Sequence, residues 1–213
     1  NKSEVGKLLS QSERTVRRSL EWFRREQKPD GSWKANMPEY TPAITGLVTM
    51  TYLARGHSHL ENSKFGRSVK AAVNYLLKTQ EKQKEEGMFC SPIQEQMYIQ
   101  AISTLSLLEC YKLSNDHDLL RAPLQLAVKA ILNRQQSSRF GWGYPEKFEK
   151  SPMTEGDASV TSWQMMTLLR ALELKNALWP GGMPSSMRVQ MSRGLKFLFD
   201  LADPESGKVA YRT

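Results

Sequence analysis

The chain has 213 residues, of which 39% are hydrophobic and 24% are charged, and its formal net charge is +8. These proportions are typical of a globular protein with a core, and they exclude a chain that is disordered along its length. No stretch approaches the roughly 18 uncharged apolar residues that a membrane-spanning helix needs. The two cysteines exclude a disulfide scaffold, and with three histidines they argue against a four-ligand zinc site. We therefore expect no metal and no cofactor.

The positive charge is concentrated at the start of the chain, where residues 1–28 hold eight Lys or Arg and four Asp or Glu. A basic segment raises the question of nucleic-acid binding. Acidic and basic side chains are interleaved here, however, as they are on the solvent-exposed face of a helix. We therefore expect no nucleic-acid partner. No targeting segment is recognisable, so the sequence assigns no compartment.

A pattern of aromatic, Gln and Gly positions recurs along the chain, which indicates internal repeats. The marker positions of the successive copies are Trp22, Gln27, Gly31 and Trp33; then Gln80 and Gly87; then Gln135 and Gly141; and finally Ala202 and Gly207. The three Gln positions lie 53 and 55 residues apart, whereas the spacing from Gln to Gly varies. The variation places a loop between Gln and Gly.

Each copy follows the same order: a helix ends near the Gln, a Gly-containing turn follows, and a second helix begins. The second helices, predicted over 42–53, 93–112 and 158–174, carry less charge than the first, so we expect them to be inner and the first to be outer. The helical hairpins span roughly 12–54, 65–112 and 119–175, with a partial fourth at 186–213. The sequence thus predicts an all-α fold, a single domain of stacked helical hairpins that form an α/α-toroid-like arc.

The first copy resembles the QW motif of squalene–hopene cyclases and related terpene cyclases. In that motif a basic residue and a small residue are followed, after two free positions, by an aromatic and an aliphatic residue. Gln follows after three free positions, Gly after three more, and Trp after one more. Residues 18–33 depart from it only at Ser19 and Phe23. Residues 155–166, EGDASVTSWQMM, are similar to bacterial, Planctomycetes-type proteins with prenyltransferase/squalene-oxidase repeats. The resemblance implies an α/α toroid and, for the enzymes of the family, isoprenoid substrates.

The QW motif has a structural explanation of its own. Gln27 stands at a predicted helix end, where backbone carbonyls lack partners, and its side-chain amide can reach them. Trp33 can then cover the turn with a large apolar surface. We therefore expect the motif residues of all copies to hold the fold together rather than to form a binding site.

The catalytic residues of the family are incomplete in this chain. Cyclases of this type protonate an alkene with an Asp-x-Asp-Asp cluster at the start of an inner helix, and the nearest string here is Glu155-Gly156-Asp157-Ala158. Asp157 is the one catalytic candidate, and it is also well placed as a helix N-cap. Prenyl synthases hold magnesium and diphosphate with Asp-rich clusters, and this sequence contains no Asp-Asp pair. Neither cysteine has the preceding Asp of the prenyltransferase zinc set, and His57 and His59 lack a third ligand.

The predicted starts of the inner helices, with the adjoining turns, form one rim of the arc. The candidate binding residues on this rim are Tyr40, Tyr98, Trp142, Tyr144, Asp157, Thr161, Trp163 and Gln164. A mouth rich in aromatic residues suits an isoprenoid, a carbohydrate or a peptide. The sequence thus favours a non-catalytic binding or scaffolding module for a protein partner or an apolar, isoprenoid ligand. The alternatives are an isoprenoid cyclase or prenyltransferase with divergent or missing catalytic residues, and a glycan-processing barrel, which would need paired inner carboxylates.

The number of hairpins leaves the assembly open. A closed toroid of six helix pairs needs roughly 300 residues at this repeat length, whereas the sequence holds three hairpins and the start of a fourth. A longer parent protein, an open arc, and a homo-oligomer in which a second copy closes the arc are the three alternatives.

Overall fold

The computed structural model describes residues 2–136, 140–144 and 156–211, and for residues 2–10 it describes the backbone alone. Its helices are α1 (Lys2–Glu26), a 3₁₀ turn (Pro38–Tyr40), α2 (Thr41–Leu53), α3 (Lys64–Glu81), α4 (Gln96–Ser114), α5 (His117–Asn133), α6 (Ala158–Glu173), α7 (Lys175–Leu178) and α8 (Ser185–Asp200). Beyond the helices, the described residues show one isolated antiparallel bridge, between Ala202 and Val209. The all-α prediction is therefore confirmed for the described part of the chain.

The helices form two layers. The inner helices α2, α4 and α6 pack side by side in that order, while α3 lies against α1 and α2, α5 against α4, and α8 against α6 and α5. Most of α4 is buried, including Gln100, Ser103 and Thr104, whereas residues 11–19 of α1 are all exposed. The charge difference between the helices predicted this division, because a charged helix face borders water and an uncharged helix does not.

A Gln near the end of an outer helix joins its own turn to the next outer helix. The Nε2 amide of Gln27 donates to the carbonyl of Gly31 in the turn and to the carbonyl of Ser68 in α3, both at 2.9 Å. The same pair of bonds recurs from Gln80 to Gly87 (3.2 Å) and Pro123 (3.1 Å), and from Gln135 to Phe140 and Gln190 (2.7 Å each). Three successive outer-helix junctions thus use one arrangement, in which the Gln bonds to its turn and to the next outer helix rather than to the carbonyls at the end of its own helix.

The turn residue that accepts this bond lies against the backbone of the next outer helix. Gly31 has φ +94°, and a Cβ placed on it would lie 2.2 Å from the carbonyl oxygen of Ala71. Gly87 has φ +83°, and its Cβ would lie 2.3 Å from the carbonyl oxygen of Leu126. Both positions therefore need glycine for two reasons, the left-handed backbone and the close approach of the neighbouring helix.

In the third turn this position is held by Phe140 rather than by Gly141, one residue earlier than the sequence suggested. Phe140 has φ +66°, and its carbonyl accepts the Gln135 amide. The backbone bond from Gln136 to Gly141, 2.9 Å, matches the bond of the same length from Lys28 to Ser32 in the first turn. The side chain of Phe140 is accommodated because its ring lies beneath the guanidinium group of Arg193, 4.8 Å from the ring centroid.

An aromatic residue stands two positions after Gly31, Gly87 and Phe140, and it joins each turn to the inner layer. The backbone N–H groups of these residues donate to polar side chains of the inner helices: Trp33 to Thr45 (3.1 Å), Phe89 to Gln100 (3.2 Å) and Trp142 to Thr161 (2.9 Å). The indoles of Trp33 and Trp142 also donate to outer-helix carbonyls, at 2.7 and 2.8 Å. Each turn is therefore tied to both layers, and this fixes where the inner helices begin.

Candidate functional site

Four of the eight residues predicted for the rim are fully buried: Asp157, which is described below, and three residues that bond inside the core. Trp142, Thr161 and Gln164 are fully buried. Trp142 and Thr161 bond to each other as described above, and the Nε2 amide of Gln164 donates to the carbonyl of Met97 in α4 at 2.7 Å. The sequence predicted that these residues lie near the start of an inner helix. Their side chains face the core, however, where they join the turn to α6 and α6 to α4.

Four residues from separate segments converge at the N-terminal ends of α4 and α6. The rings of Tyr98 and Tyr144 lie 6.3 Å apart between centroids, and the hydroxyl oxygens of Tyr144 and Tyr211 lie 3.2 Å apart. The carboxyl group of Asp157 is the first cause of the raised pKa of Tyr211, so the two groups lie next to each other. We call this cluster of Tyr98, Tyr144, Asp157 and Tyr211 the tyrosine rim.

The repeat positions every member of the tyrosine rim. Tyr98 lies in the first turn of α4, and Asp157 is the N-cap residue of α6, where its Oδ1 accepts the N–H of Val160 at 2.9 Å. Tyr144 follows the third turn. Tyr211 follows the fourth, and its carbonyl accepts the N–H of Ala158 at 3.0 Å. The C-terminal segment is thereby held against the start of α6.

Tyr211 was not among the predicted site residues, although the repeat contains a signal for it. Tyr144 stands two positions after Trp142, and Tyr211 stands two positions after Val209, which occupies the same place in the fourth turn. The corresponding residues of the first two turns are Ala35 and Ser91. The tyrosine at this position is thus a property of the third and fourth copies, which meet at the rim.

The tyrosine rim offers polar groups at a surface with a buried carboxyl group next to it. Tyr211 is 54% exposed, Tyr98 and Tyr144 are half-buried, and Asp157 is fully buried. Tyrosine combines a rigid apolar ring with a hydroxyl group that both donates and accepts hydrogen bonds. This composition is typical of contact surfaces rather than of protein cores.

The two remaining candidates lie nearby in the fold but bond differently. The hydroxyl of Tyr40, just before α2, donates to Oε2 of Glu95, just before α4, at 2.9 Å. This bond joins the starts of two inner helices, and it is the largest cause of the raised pKa of Tyr40. Trp163 in α6 is partly buried against the core. The predicted rim residues thus separate into the tyrosine rim, one neighbouring Tyr–Glu bond, and residues that pack inside.

The tyrosine rim makes the stability of the fold sensitive to alkaline pH. The pKa of Tyr211 is raised, mainly by its bonds to Asp157 and Tyr144, and the pKa of Tyr144 is raised mainly by burial. A tyrosine whose pKa is higher in the folded than in the unfolded chain stabilises the fold below the unfolded value of about 10 and loses that contribution as the pH rises further.

We therefore expect Tyr211→Phe to reduce the loss of stability between pH 9 and pH 11. The measurement is the free energy of unfolding by urea for both proteins at both pH values, since all other titrating groups are common to the two. An equal loss in the wild type and the variant would contradict the hydrogen bonds assigned to Tyr211.

A second cluster lies at the opposite ends of the inner helices and joins three segments that are distant in sequence. Nδ1 of His59 lies 3.0 Å from Sγ of Cys110, and Nε2 of His59 lies 2.7 Å from Oδ2 of Asp116. A thiol, an imidazole and a carboxylate in this order form the arrangement of cysteine hydrolases. Here, however, Cys110 is fully buried and His59 nearly so, and burial raises the pKa of the Cys110 thiol to about 12.

This cluster therefore holds the loop after α2 against the end of α4 and the start of α5, and it does not present a nucleophile. We expect neither Cys110 nor Cys90, whose pKa burial also raises to about 12, to react with an aromatic disulfide reagent at pH 8 while the protein is folded. Both should react after unfolding in urea. Rapid reaction of one thiol in the native protein, lost in Cys110→Ser, would contradict this assignment.

Two further properties bear on the kinds of function the chain can have. Among the residues that the structure describes, no three His, Cys, Asp or Glu side chains are grouped so that they could hold a metal ion. Within the same residues, none of the helices combines the length and the hydrophobicity needed to cross a membrane.

Comparison with protein-family models, with curated proteins and with solved structures finds no match for this chain. The geometry of the chain's own residues is therefore the basis for assigning a function.

Proposed function

We propose that the chain is a non-catalytic binding module of the α/α-toroid type, and that it binds a segment of a protein partner at the tyrosine rim. The observation that carries the proposal is the convergence of Tyr98, Tyr144 and Tyr211, from three separate parts of the chain, around the buried carboxyl group of Asp157. Tyr211 is more than half exposed, so its ring is available to a partner and is not needed to fill the core.

The chemistry of the tyrosine rim favours a peptide over a purely apolar ligand. The hydroxyl oxygens of Tyr144 and Tyr211 can accept from the N–H groups of an extended chain, while the rings supply apolar contact. Tyrosine is enriched among the residues that carry most of the energy of protein–protein contacts.

The toroid is part of this proposal. Three successive turns bond to the next outer helix in one way, through Gln27, Gln80 and Gln135, and the inner helices lie side by side. Repetition of one junction turns each hairpin by a similar amount relative to the last, which curves the stack. A curved stack places the starts of the inner helices along one rim, where the tyrosines lie.

The alternative is an isoprenoid ligand, bound or converted at the same rim. It is favoured by the position of Asp157, because the cyclases whose motif this chain resembles hold their acid at the start of an inner helix. In this chain the Oδ1 atom of Asp157 caps α6 through Val160, and the same fully buried carboxyl group lies next to Tyr211. The described geometry thus gives Asp157 a structural role, and we rank the enzyme second.

The test is the selection of peptides from a random displayed library on the immobilised wild-type protein. We expect the selected peptides to lose at least about tenfold in affinity with the double variant Tyr98→Ala, Tyr144→Ala, because truncation of an aromatic residue at the centre of a contact costs about 2 kcal/mol or more. Phe199→Ala, which removes an exposed aromatic residue from α8, is the matched control and should bind as the wild type does. Peptides that bind both variants equally would overturn the proposal.

A native mass spectrum with farnesyl diphosphate or squalene added tests the alternative. We expect a clean protein mass with no adduct. An isoprenoid adduct that disappears in the double variant, together with product formation lost in Asp157→Asn, would replace the binding module by the enzyme.

A further inference from the structure

Every outer helix from α3 onward receives the preceding turn at the same place. The carbonyl that accepts the bridging Gln lies twelve positions before the helix-ending residue in all three cases: Ser68 before Gln80, Pro123 before Gln135, and Gln190 before Ala202. The turn glycine packs against the backbone nine positions before the same helix-ending residue, at Ala71 before Gln80 and at Leu126 before Gln135. The repeat therefore defines a docking face on an outer helix by sequence position.

On α1 this face is not covered by any turn among the described residues. The corresponding positions before Gln27 are Thr15 and Arg18. An open groove of about 760 Å³ lies there, lined by Thr15, Arg18, Ser19, Glu21, Trp22, Phe23 and Arg25. Trp22 is 52% exposed in it. The groove thus coincides with the place where the repeat seats a turn.

At the other end of the stack, the fourth turn has the right conformation but no outer helix against it. Asp203 N–H donates to the Lys208 carbonyl at 2.8 Å and Gly207 N–H to the Asp203 carbonyl at 2.9 Å, the same two bonds that close the first turn. Gly207 has φ +68°, and no described atom lies within 4 Å of the place that its Cβ would take. The corresponding place on Gly31 and Gly87 is filled by the next outer helix.

The two uncovered faces have opposite charge. The fourth turn, 203–209, carries exposed Asp203 and Glu205 against one Lys208. In the groove on α1, Glu21 is already paired with Arg24 at 2.8 Å and with Lys64 at 2.7 Å, which leaves Arg18 and Arg25 as its exposed charges. An acidic turn and a basic groove attract each other and repel their own kind.

We infer that the fourth turn of one chain docks in the α1 groove of a second copy of the same chain, in the register that the repeat uses internally. The contact is head to tail, so each copy offers one groove and one turn, and successive copies close into a ring or extend the stack. Ala202 stands where the bridging Gln would be, and the carbonyl of Thr15 already accepts the hydroxyl of Ser19 at 3.1 Å. The junction therefore lacks the Gln bond and depends on fit and charge.

The test is sedimentation velocity of the whole chain over a wide range of protein concentration. We expect concentration-dependent self-association that weakens at least about tenfold at high ionic strength, because exposed charge pairs are screened. Arg18→Glu removes the net positive charge of the groove, and Glu205→Lys makes the turn basic, so each variant alone should be monomeric. A mixture of the two should form a one-to-one dimer, because the unchanged acidic turn of the first variant can still dock in the unchanged basic groove of the second.

Arg55→Glu, an exposed charge reversal at the end of α2, is the matched control and should associate as the wild type does. The melting temperatures of all variants show that each one folds. A wild type that stays monomeric at every concentration, or a mixture that stays monomeric, overturns the inference. Association that both single variants retain also overturns it, since that contact would use another surface.

Discussion

Gly31→Ala is expected to lower the free energy of unfolding by about 3–5 kcal/mol. Alanine at φ +94° costs energy by itself, and its Cβ would lie 2.2 Å from the carbonyl oxygen of Ala71, so α3 would have to move away. Movement of α3 would also break the bond from Gln27 to Ser68. The same result is expected for Gly87→Ala, whose Cβ would meet the carbonyl of Leu126. Urea unfolding of the purified variants measures the effect.

Gly207→Ala separates the two causes. Gly207 has a positive φ like the other two turn glycines, but the space beside it is open in the described structure. Its substitution should therefore cost only the conformational part, about 1–2 kcal/mol. If all three variants lose the same stability, the close contact between turn and next outer helix does not exist as described.

Trp142→Ala should have a comparably large effect, about 3–5 kcal/mol, because it leaves a large cavity in the core. Trp142 is fully buried, and its indole donates to the carbonyl of Ile131 at 2.8 Å. The substitution also distinguishes two roles for this residue, since a rim residue that only binds a ligand would tolerate alanine. The measurement is again the free energy of unfolding.

Trp142→Phe is the graded control for this position. Phenylalanine already occupies the same place in the second turn, as Phe89, whose side chain has no N–H group to donate. We expect a loss of about 1–3 kcal/mol, because the smaller ring leaves part of the Trp142 site empty and the Ile131 carbonyl keeps only its bond from the Arg134 N–H. A loss from Trp142→Ala no larger than that from Trp142→Phe would contradict the packing described for the third turn.

The sequence predicted those features that repeat along the chain. The Gln positions near the ends of the outer helices, the turns that follow, and the difference in charge between outer and inner helices all recur, so each copy supports the interpretation of the others. The N-cap at Asp157 followed from local chemistry, because a carboxylate before a helix accepts its free N–H groups. Repetition and local capping are both visible in a single sequence.

What the sequence did not predict depends on contacts between distant segments or on backbone conformation. His59 meets Cys110 and Asp116 across 51 and 57 positions of sequence, and no motif marks such a pair. In the third turn, Gly141 was the expected residue with positive φ, but the neighbouring Phe140 adopts that conformation instead. The sequence placed the rim residues near helix starts, but it did not specify which face of the helix each one occupies. The face decides which of them are buried.

The Gln side chains that join each turn to the next outer helix are the central feature of this fold, and nuclear magnetic resonance tests them most directly. Gln80 is buried and donates to both Gly87 and Pro123, so its side-chain amide protons should exchange slowly with solvent and show contacts to protons of α5. Gln94, which is exposed, is the internal reference and should exchange at the rate of a free amide. Equal, fast exchange of the two side chains would contradict the repeat junction on which this account depends.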